Sequence, residues 1–182
     1  MLQTPARRRN MSSIGSVSLR CAACGATWVT PRGQVVVAKG ERCLNCAGEL
    51  AVADRVDDNV GTVWQAWDRW LAGDIDGLVD QHHPEAEVHW LRCRLFEGAE
   101  PVYRGHTGIR RCLEDCLDAC EASPNELRGF GDRVLTLGKL LMKDGAEETL
   151  SVAWIHRVRE GKILSLHGYL NPAEALRDLE PA

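Results

Sequence analysis

Two pairs of cysteines near the N-terminus, Cys21-Ala-Ala-Cys24 and Cys43-Leu-Asn-Cys46, have the type and spacing to hold a metal ion. Each C-x2-C knuckle presents two sulfurs from one tight turn. Two such knuckles complete a tetrahedron around a single Zn2+, as in zinc ribbons. Gly25 follows the first knuckle directly and Gly48 follows the second at one remove, both suited to chain reversal. The intervening stretch, with Val35-Val36-Val37, is strand-like and predicts a hairpin that brings the knuckles together. A thioredoxin-like redox pair or two disulfides are the competing uses of such cysteines. A redox motif should open a helix inside a βαβ unit, and no such unit surrounds these residues. The spacing therefore predicts zinc on Cys21, Cys24, Cys43 and Cys46.

Cys112, Cys116 and Cys120 recur every four residues, interleaved with Ile109, Leu113 and Leu117. That is a buried helical stripe, in which a free cysteine behaves as a small apolar residue. Many free thiols imply a reducing compartment. No apolar run approaches a membrane span, and residues 1–20 lack a signal peptide's apolar segment. A soluble, cytoplasmic protein that does not engage membranes is expected.

Charge divides the chain. Residues 1–53 hold seven of the 22 basic and two of the 26 acidic side chains, a net of +5, so the remainder carries −9. Three of the basic charges lie in Arg7-Arg8-Arg9. This arm (residues 1–17) has no apolar periodicity and reads as a solvated, disordered tail, with Met11 as a second start. The zinc ribbon at 18–52 is a surface for another protein before it is one for nucleic acid, and the acidic remainder argues against nucleic-acid binding by the larger domain. A polar linker follows at 53–58.

The elements that must position any further chemistry come after it. Val60, Val63, Trp64, Trp67, Trp70 and Leu71 repeat at helical spacing, with Asp57 or Asp58 to start the helix and Gly73 to end it. Asp74 starts a second helix that runs through His82 and stops at Pro84. Glu87 to Phe96 reads as a strand, and Thr107 to Glu121 as a third helix. Strands follow at 126–130, 134–142, 148–158 and 162–170, with hairpin turns at Asp144-Gly145 and Glu160-Gly161. Asn171-Pro172-Ala173-Glu174 opens a last helix. This order predicts an α+β fold at 59–182, a cone-shaped, curved antiparallel sheet with helices on one face.

Three stretches carry a resemblance: Asp74-Ile75-Asp76-Gly77-Leu78 through Ala86-Glu87-Val88-His89-Trp90, Tyr103-Arg104-Gly105-His106-Thr107-Gly108-Ile109-Arg110, and Gly161-Lys162-Ile163 to Tyr169-Leu170-Asn171. In order and spacing they are similar to the SnoaL-like branch of the nuclear-transport-factor-2-like superfamily. That resemblance implies cyclases, isomerases, epoxide hydrolases, or ligand-binding and associative domains, so fold alone does not fix function. The cyclases and hydrolases carry an Asp in the last strand where this chain has Gly168, which cannot transfer a proton. Strand 135–142 offers Leu137, Gly138, Lys139 and Leu140, again without a carboxylate. Where the isomerases hold an Asp base, this chain has His89-Trp90-Leu91.

His89 is then the candidate general base, and Tyr103 the candidate hydrogen-bond donor to a ligand oxygen. Their structural alternatives are a strand histidine satisfied by a carbonyl and a packed strand-end ring. His106, His82 and His83 read as helix-terminal. A two-residue turn at Glu160-Gly161 pairs Ala153 with Gly168, Ile155 with Leu166 and Arg157 with Leu164, an apolar face suited to line a pocket. Trp90, Leu166 and Gly168 join His89 and Tyr103 as ligand-lining candidates. The opposite face, with Trp154, His156, His167 and Tyr169, is expected to form a homodimer contact. Without the carboxylates, binding of a small apolar ligand, dimerisation, or both is favoured. The competing function is an isomerase, cyclase or hydratase acting on a small carbonyl compound through His89. A cavity of a few hundred Å3 lined by His89 and Tyr103 would mark a ligand site; an interior of side-chain size would mark a structural domain.

Overall fold

A computed structural model describes residues 16–25, 27–31, 43, 46, 48, 50–52, 58–89, 100–143 and 149–179. Strand β1 (Ser16–Cys21) turns through the first knuckle into β2 (Thr27–Pro31), and β3 (Leu50–Val52) returns on the other side of β1. The knuckles therefore meet because the strands flank them. The expected strand at Val35-Val36-Val37 lies outside the described residues, as do most of the basic arm and the linker. Asp58, assigned to the linker, is the first residue of α1 (Asp58–Ala72).

Helix α1 ends at Gly73, whose φ of 70° suits a residue without Cβ. Asp74 accepts the Gly77 N–H at 2.9 Å and caps α2 (Ile75–Asp80). This helix stops earlier than the sequence suggests. The Gln81 carbonyl accepts the Ile163 N–H at 2.9 Å, drawing the chain into the sheet. His82 and Pro84 thus belong to β4 (His82–His89). Strand β5 (Tyr103–Arg104) leads to α3 (Gly105–Ala119). Cys120, expected on that helix, is extended and opens β6 (Cys120–Phe130), yet stays buried with Cys112 and Cys116. Strands β7 (Arg133–Met142), β8 (Thr149–Arg159) and β9 (Lys162–Tyr169) and helix α4 (Pro172–Leu179) complete the chain.

The strands form one curved, unclosed sheet in the order β3-β1-β2-β6-β7-β8-β9-β4-β5, antiparallel except for β4 beside β9. The metal module is therefore not hung on a free linker: β2 pairs with β6 through Thr27↔Gly129, Trp28↔Arg128 and Val29↔Leu127. Helices α1, α2 and α3 cover the inner face with Val60, Val63, Trp67, Trp70, Ile109 and Leu113, and α4 covers part of the outer face.

Strand β9 corrects the expected faces. The hairpin turn forms as predicted, with positive φ at Glu160 and Gly161. Beyond it Val158 pairs with Ile163 but Arg157 with Ser165, so Leu164 is left over as a bulge. A one-residue slip exchanges faces. Ala153 lies opposite Tyr169 rather than Gly168, and Ile155 opposite His167 rather than Leu166. Trp154 and His156, expected on the outer dimer face, are 0 % and 2 % exposed beneath α1. Ala153 and Ile155, expected to line a pocket, pack outward against α4 with Leu135, Ala175 and Leu179. Tyr169 is buried there too, its hydroxyl donating to Asp178 at 2.8 Å. Of the expected dimer patch only His167 remains half-buried on the outer side.

Candidate metal centre and inner cavity

The first knuckle is tied by the Gly25 N–H to the Cys21 carbonyl at 3.0 Å, and the second by the Cys43 N–H to the Gly48 carbonyl at 2.8 Å. A Cβ on Gly48 would lie 2.7 Å from the Ala23 Cβ and 3.0 Å from the Cys21 Sγ, so glycine is what lets the knuckles close. The sulfurs of Cys21, Cys24, Cys43 and Cys46 all lie within 4.8 Å of one another. The contacts Cys21–Cys46 at 3.5 Å and Cys24–Cys43 at 3.6 Å are far too long for disulfides. They are close to the edge of about 3.8 Å that four sulfurs make around a metal with bonds of about 2.3 Å. The Cys24 backbone N–H holds the Cys21 thiol down to about 6. Cys46, although it faces the Gly48 backbone, is pushed up to about 12 by the sulfurs beside it. Four adjacent thiols resist becoming four thiolates unless a cation neutralises them. This cluster can hold one metal ion.

A second feature lies between the helices and the inner face of the sheet. It is a cavity of about 40 Å3, partly open to solvent. Trp67 and Trp70 from α1, Leu78 from α2, Ile109 and Leu113 from α3 and Ile163 from β9 supply most of its apolar wall. Trp67 and Trp70 meet edge to face at 6.5 Å, and the Trp67 indole N–H donates to Thr136. Among the described residues, no carboxylate lines the cavity. The polar lining groups are the thiol of Cys112 and two histidines, His82 and His156.

Burial is the main influence on both histidines. The His82 Nδ1–H donates to the Leu78 carbonyl at 2.8 Å, and burial pushes the ring's pKa down to about 4. His156, edge-on to Trp67 at 6.3 Å, is pushed down to about 3 by burial and then by His82. Both rings are neutral at physiological pH.

His89 is not in this cavity. Val88 lines it, and side chains alternate along a strand, so His89 faces outward. There it stacks on His167 with ring centroids 4.1 Å apart and planes 13° apart. Its Nε2 lies 3.5 Å from Glu87, whose other carboxylate oxygen accepts from Arg104 at 2.8 Å. Arg104 and then His89 hold the Glu87 carboxyl below its ordinary range, and burial followed by His89 lowers the His167 pKa. The proposed general base is thus part of an outer-surface cluster.

Tyr103 is buried on the inner side, but its hydroxyl accepts the Glu100 N–H at 3.2 Å and it does not line the cavity. Leu166 does line it. Gly168 is buried beside Trp154 in register and does not. Trp90 lies outside the described residues. Sequence reasoning missed His82 because the second helix is shorter than its pattern suggests, and missed His156 because no residue signals the bulge at Leu164.

Residues 63–166 match the family model described as SnoaL-like domain. Among solved structures, TerC co-crystallised with polyporic acid is 21 % identical with a TM-score of 0.56, the match covering 69 % of this chain and 100 % of that one. An NTF2-like protein of unknown function from Burkholderia pseudomallei is 18 % identical with a TM-score of 0.57, at 69 % and 100 % coverage. A putative polyketide cyclase from Sinorhizobium meliloti is 23 % identical with a TM-score of 0.50, at 62 % and 94 % coverage. No curated protein matches. At these identities the structures speak to fold alone. Among the described residues, no helix is long and apolar enough to cross a membrane.

Proposed function

Because the chain belongs to the SnoaL-like domain family, we propose that it is a zinc-holding protein whose SnoaL-like domain binds a small apolar ligand rather than transforming one. The observation that carries this reading is an inner cavity walled by apolar side chains, with no carboxylate among the described residues that line it. The two histidines in it are poor bases, since a general base works best with a pKa near the operating pH and theirs are depressed to about 4 and about 3. At about 40 Å3, and without His89 or Tyr103 in its wall, the cavity falls short of the few-hundred-Å3 site set out above, so it encloses only a few heavy atoms of any ligand it holds. TerC, solved with polyporic acid, is one example of this fold crystallised with an organic compound.

The zinc ribbon at 18–52 and the SnoaL-like domain at 59–182 are two units of sequence joined through one sheet. Zinc fits the cluster because four thiolates at near-tetrahedral spacing are a structural zinc set. Small neutral compounds retained by the purified protein through gel filtration and identified by mass spectrometry test the ligand role. Retention of none from a broad metabolite mixture, or turnover of one that is retained, counts against it.

A further inference from the structure

Among the described cysteines, Cys24 and Cys46 are exposed, whereas Cys21, Cys43, Cys112, Cys116 and Cys120 are buried. Oxidation of cysteine follows thiolate character and exposure, so Cys24 and Cys46 are the sulfurs that an oxidant in solution reaches. Each stands against a buried sulfur of the other knuckle. Cys46 lies 3.5 Å from Cys21, and Cys24 lies 3.6 Å from Cys43. A disulfide holds its sulfurs at about 2.05 Å, so each pair has only about 1.5 Å to close.

The backbone keeps these pairs together. Cys21 is in register with Leu50 of β3, two residues beyond Gly48, which sets the second knuckle beside the first. A Cβ on Gly48 would lie 3.0 Å from the Cys21 Sγ and 3.3 Å from the Cys46 Sγ. Glycine there leaves that pair room to draw in.

We propose that Cys24 and Cys46 are sites of reversible oxidation by hydrogen peroxide, and that the products are two bridges between the knuckles, Cys21–Cys46 and Cys24–Cys43. The inference rests on the zinc reading of this cluster. In the first step an exposed thiolate gives its electron pair to a peroxide oxygen. The S–O bond forms, the O–O bond breaks and hydroxide leaves. In the second step the buried thiolate attacks the sulfenic sulfur; the S–S bond forms, the S–O bond breaks and a second hydroxide leaves. Two sulfurs lose one electron each, the two peroxide oxygens gain them, and one peroxide is consumed per bridge. Bridged sulfurs are no longer thiolates and let go of the ion. The bridges nevertheless join the same two knuckles, so the module keeps its shape as it empties. A dithiol reductant returns two electrons per bridge, becomes a disulfide itself and restores the four thiols.

The test uses the zinc-loaded full-length protein titrated with hydrogen peroxide, then alkylated in denaturant and digested with trypsin. Cleavage after Arg20, Arg32, Arg42 and Arg55 places the knuckles on separate peptides, 21–32 and 43–55. The expected product is one species joining both peptides, lighter by two hydrogens per bridge, whose fragmentation shows Cys21–Cys46 and Cys24–Cys43. Zinc should appear in solution in step with it, and a dithiol with added zinc should reverse both changes. The bridged, metal-free protein should keep slow hydrogen exchange at the β1–β3 amides. Separate peptides, each two hydrogens lighter, mean bridges within the knuckles and overturn the crosswise assignment. So do Cys21–Cys43 and Cys24–Cys46 bridges, bridges to any other cysteine or chain, and sulfinic acids. Zinc retained on unoxidised sulfurs in excess peroxide overturns the modification itself, and fast exchange at β1–β3 overturns the retained shape. Failure of the zinc reading shows separately, as protein purified without zinc, and the peptide map of that protein still decides the bridges. Every measurement uses the wild-type chain, so none depends on a variant that folds.

Discussion

At the scale of single residues, a buried imidazole without partners among the described residues, as at His156, is kept at a cost to stability. An unsatisfied buried polar group costs about 1–3 kcal/mol. His156→Leu should therefore hold or raise stability to urea by up to about 2 kcal/mol. A loss of that size instead would show that the ring is already well paired. The same burial sets an acid limit. The unfolded rings take up protons near pH 6.5, whereas folded His82 and His156 do so only near 4 and 3. Folded pKa values below the unfolded ones mean stability that is complete above pH 6.5 and falls as pH drops toward 4. Each histidine contributes a slope of about 1.4 kcal/mol per pH unit in that window. Urea titrations from pH 7 to 4 should show a shallower slope in His156→Leu than in wild type; identical slopes would mean that His156 is protonated as easily folded as unfolded.

At the scale of elements, regular patterns were legible and irregular ones were not. Helices α1 and α3 were readable from their apolar spacing, and α4 from Asn171-Pro172. The turn at Glu160-Gly161 was readable because Gly161 suits positive φ, which Glu160 also adopts there. The bulge at Leu164 left no mark, because β8 is apolar on both faces: Val152, Trp154 and Val158 belong to the inner core, Ala153 and Ile155 to the outer cluster under α4. Alternation cannot assign faces where both are buried. That one irregularity moved His156 from an expected dimer surface into the cavity, while simple alternation after Val88 took His89 out of it. A second irregularity is visible in the structure. Strand β6 slips register between Pro124 and Glu126, and there Gly138 of β7 lets the backbones approach. A Cβ on Gly138 would lie 2.3 Å from the Ser123 carbonyl oxygen and 2.9 Å from the Trp154 ring, neither of which can swing away freely. Gly138→Ala should cost about 2–3 kcal/mol in urea denaturation, a typical overpacking penalty. A change under 0.5 kcal/mol, the range of ordinary surface substitutions, would mean that the bulge relaxes.

At the scale of the whole molecule, the four-cysteine cluster and the sheet edge are one system. Among the residues of the N-terminal module whose burial is described, Leu19, Cys21 and Cys43 are buried, and two of the three belong to the four-cysteine cluster, so an ion held there would stabilise the module. Among the described side chains, the main core runs from Val60 to Ile163 and includes no module residue, so the remainder of the fold is expected to outlast loss of the ion. What joins the two is the ladder of Thr27, Trp28 and Val29 against Leu127, Arg128 and Gly129. The protein as purified should contain about one zinc per chain, lost in Cys43→Ser. Removing it with a chelator should release β1, β2 and β3 and leave β6 as an uncovered edge, an open template for pairing with another chain. Hydrogen exchange should then accelerate at the β1–β3 amides and along the β6 edge at 127–129. Amides of β7 and β8, in the middle of the sheet, should keep their protection. Unfolding of β7 and β8 at the same chelator concentration would show that the ion supports the entire fold. Unchanged exchange at β1 and β2 would show that the module folds without it.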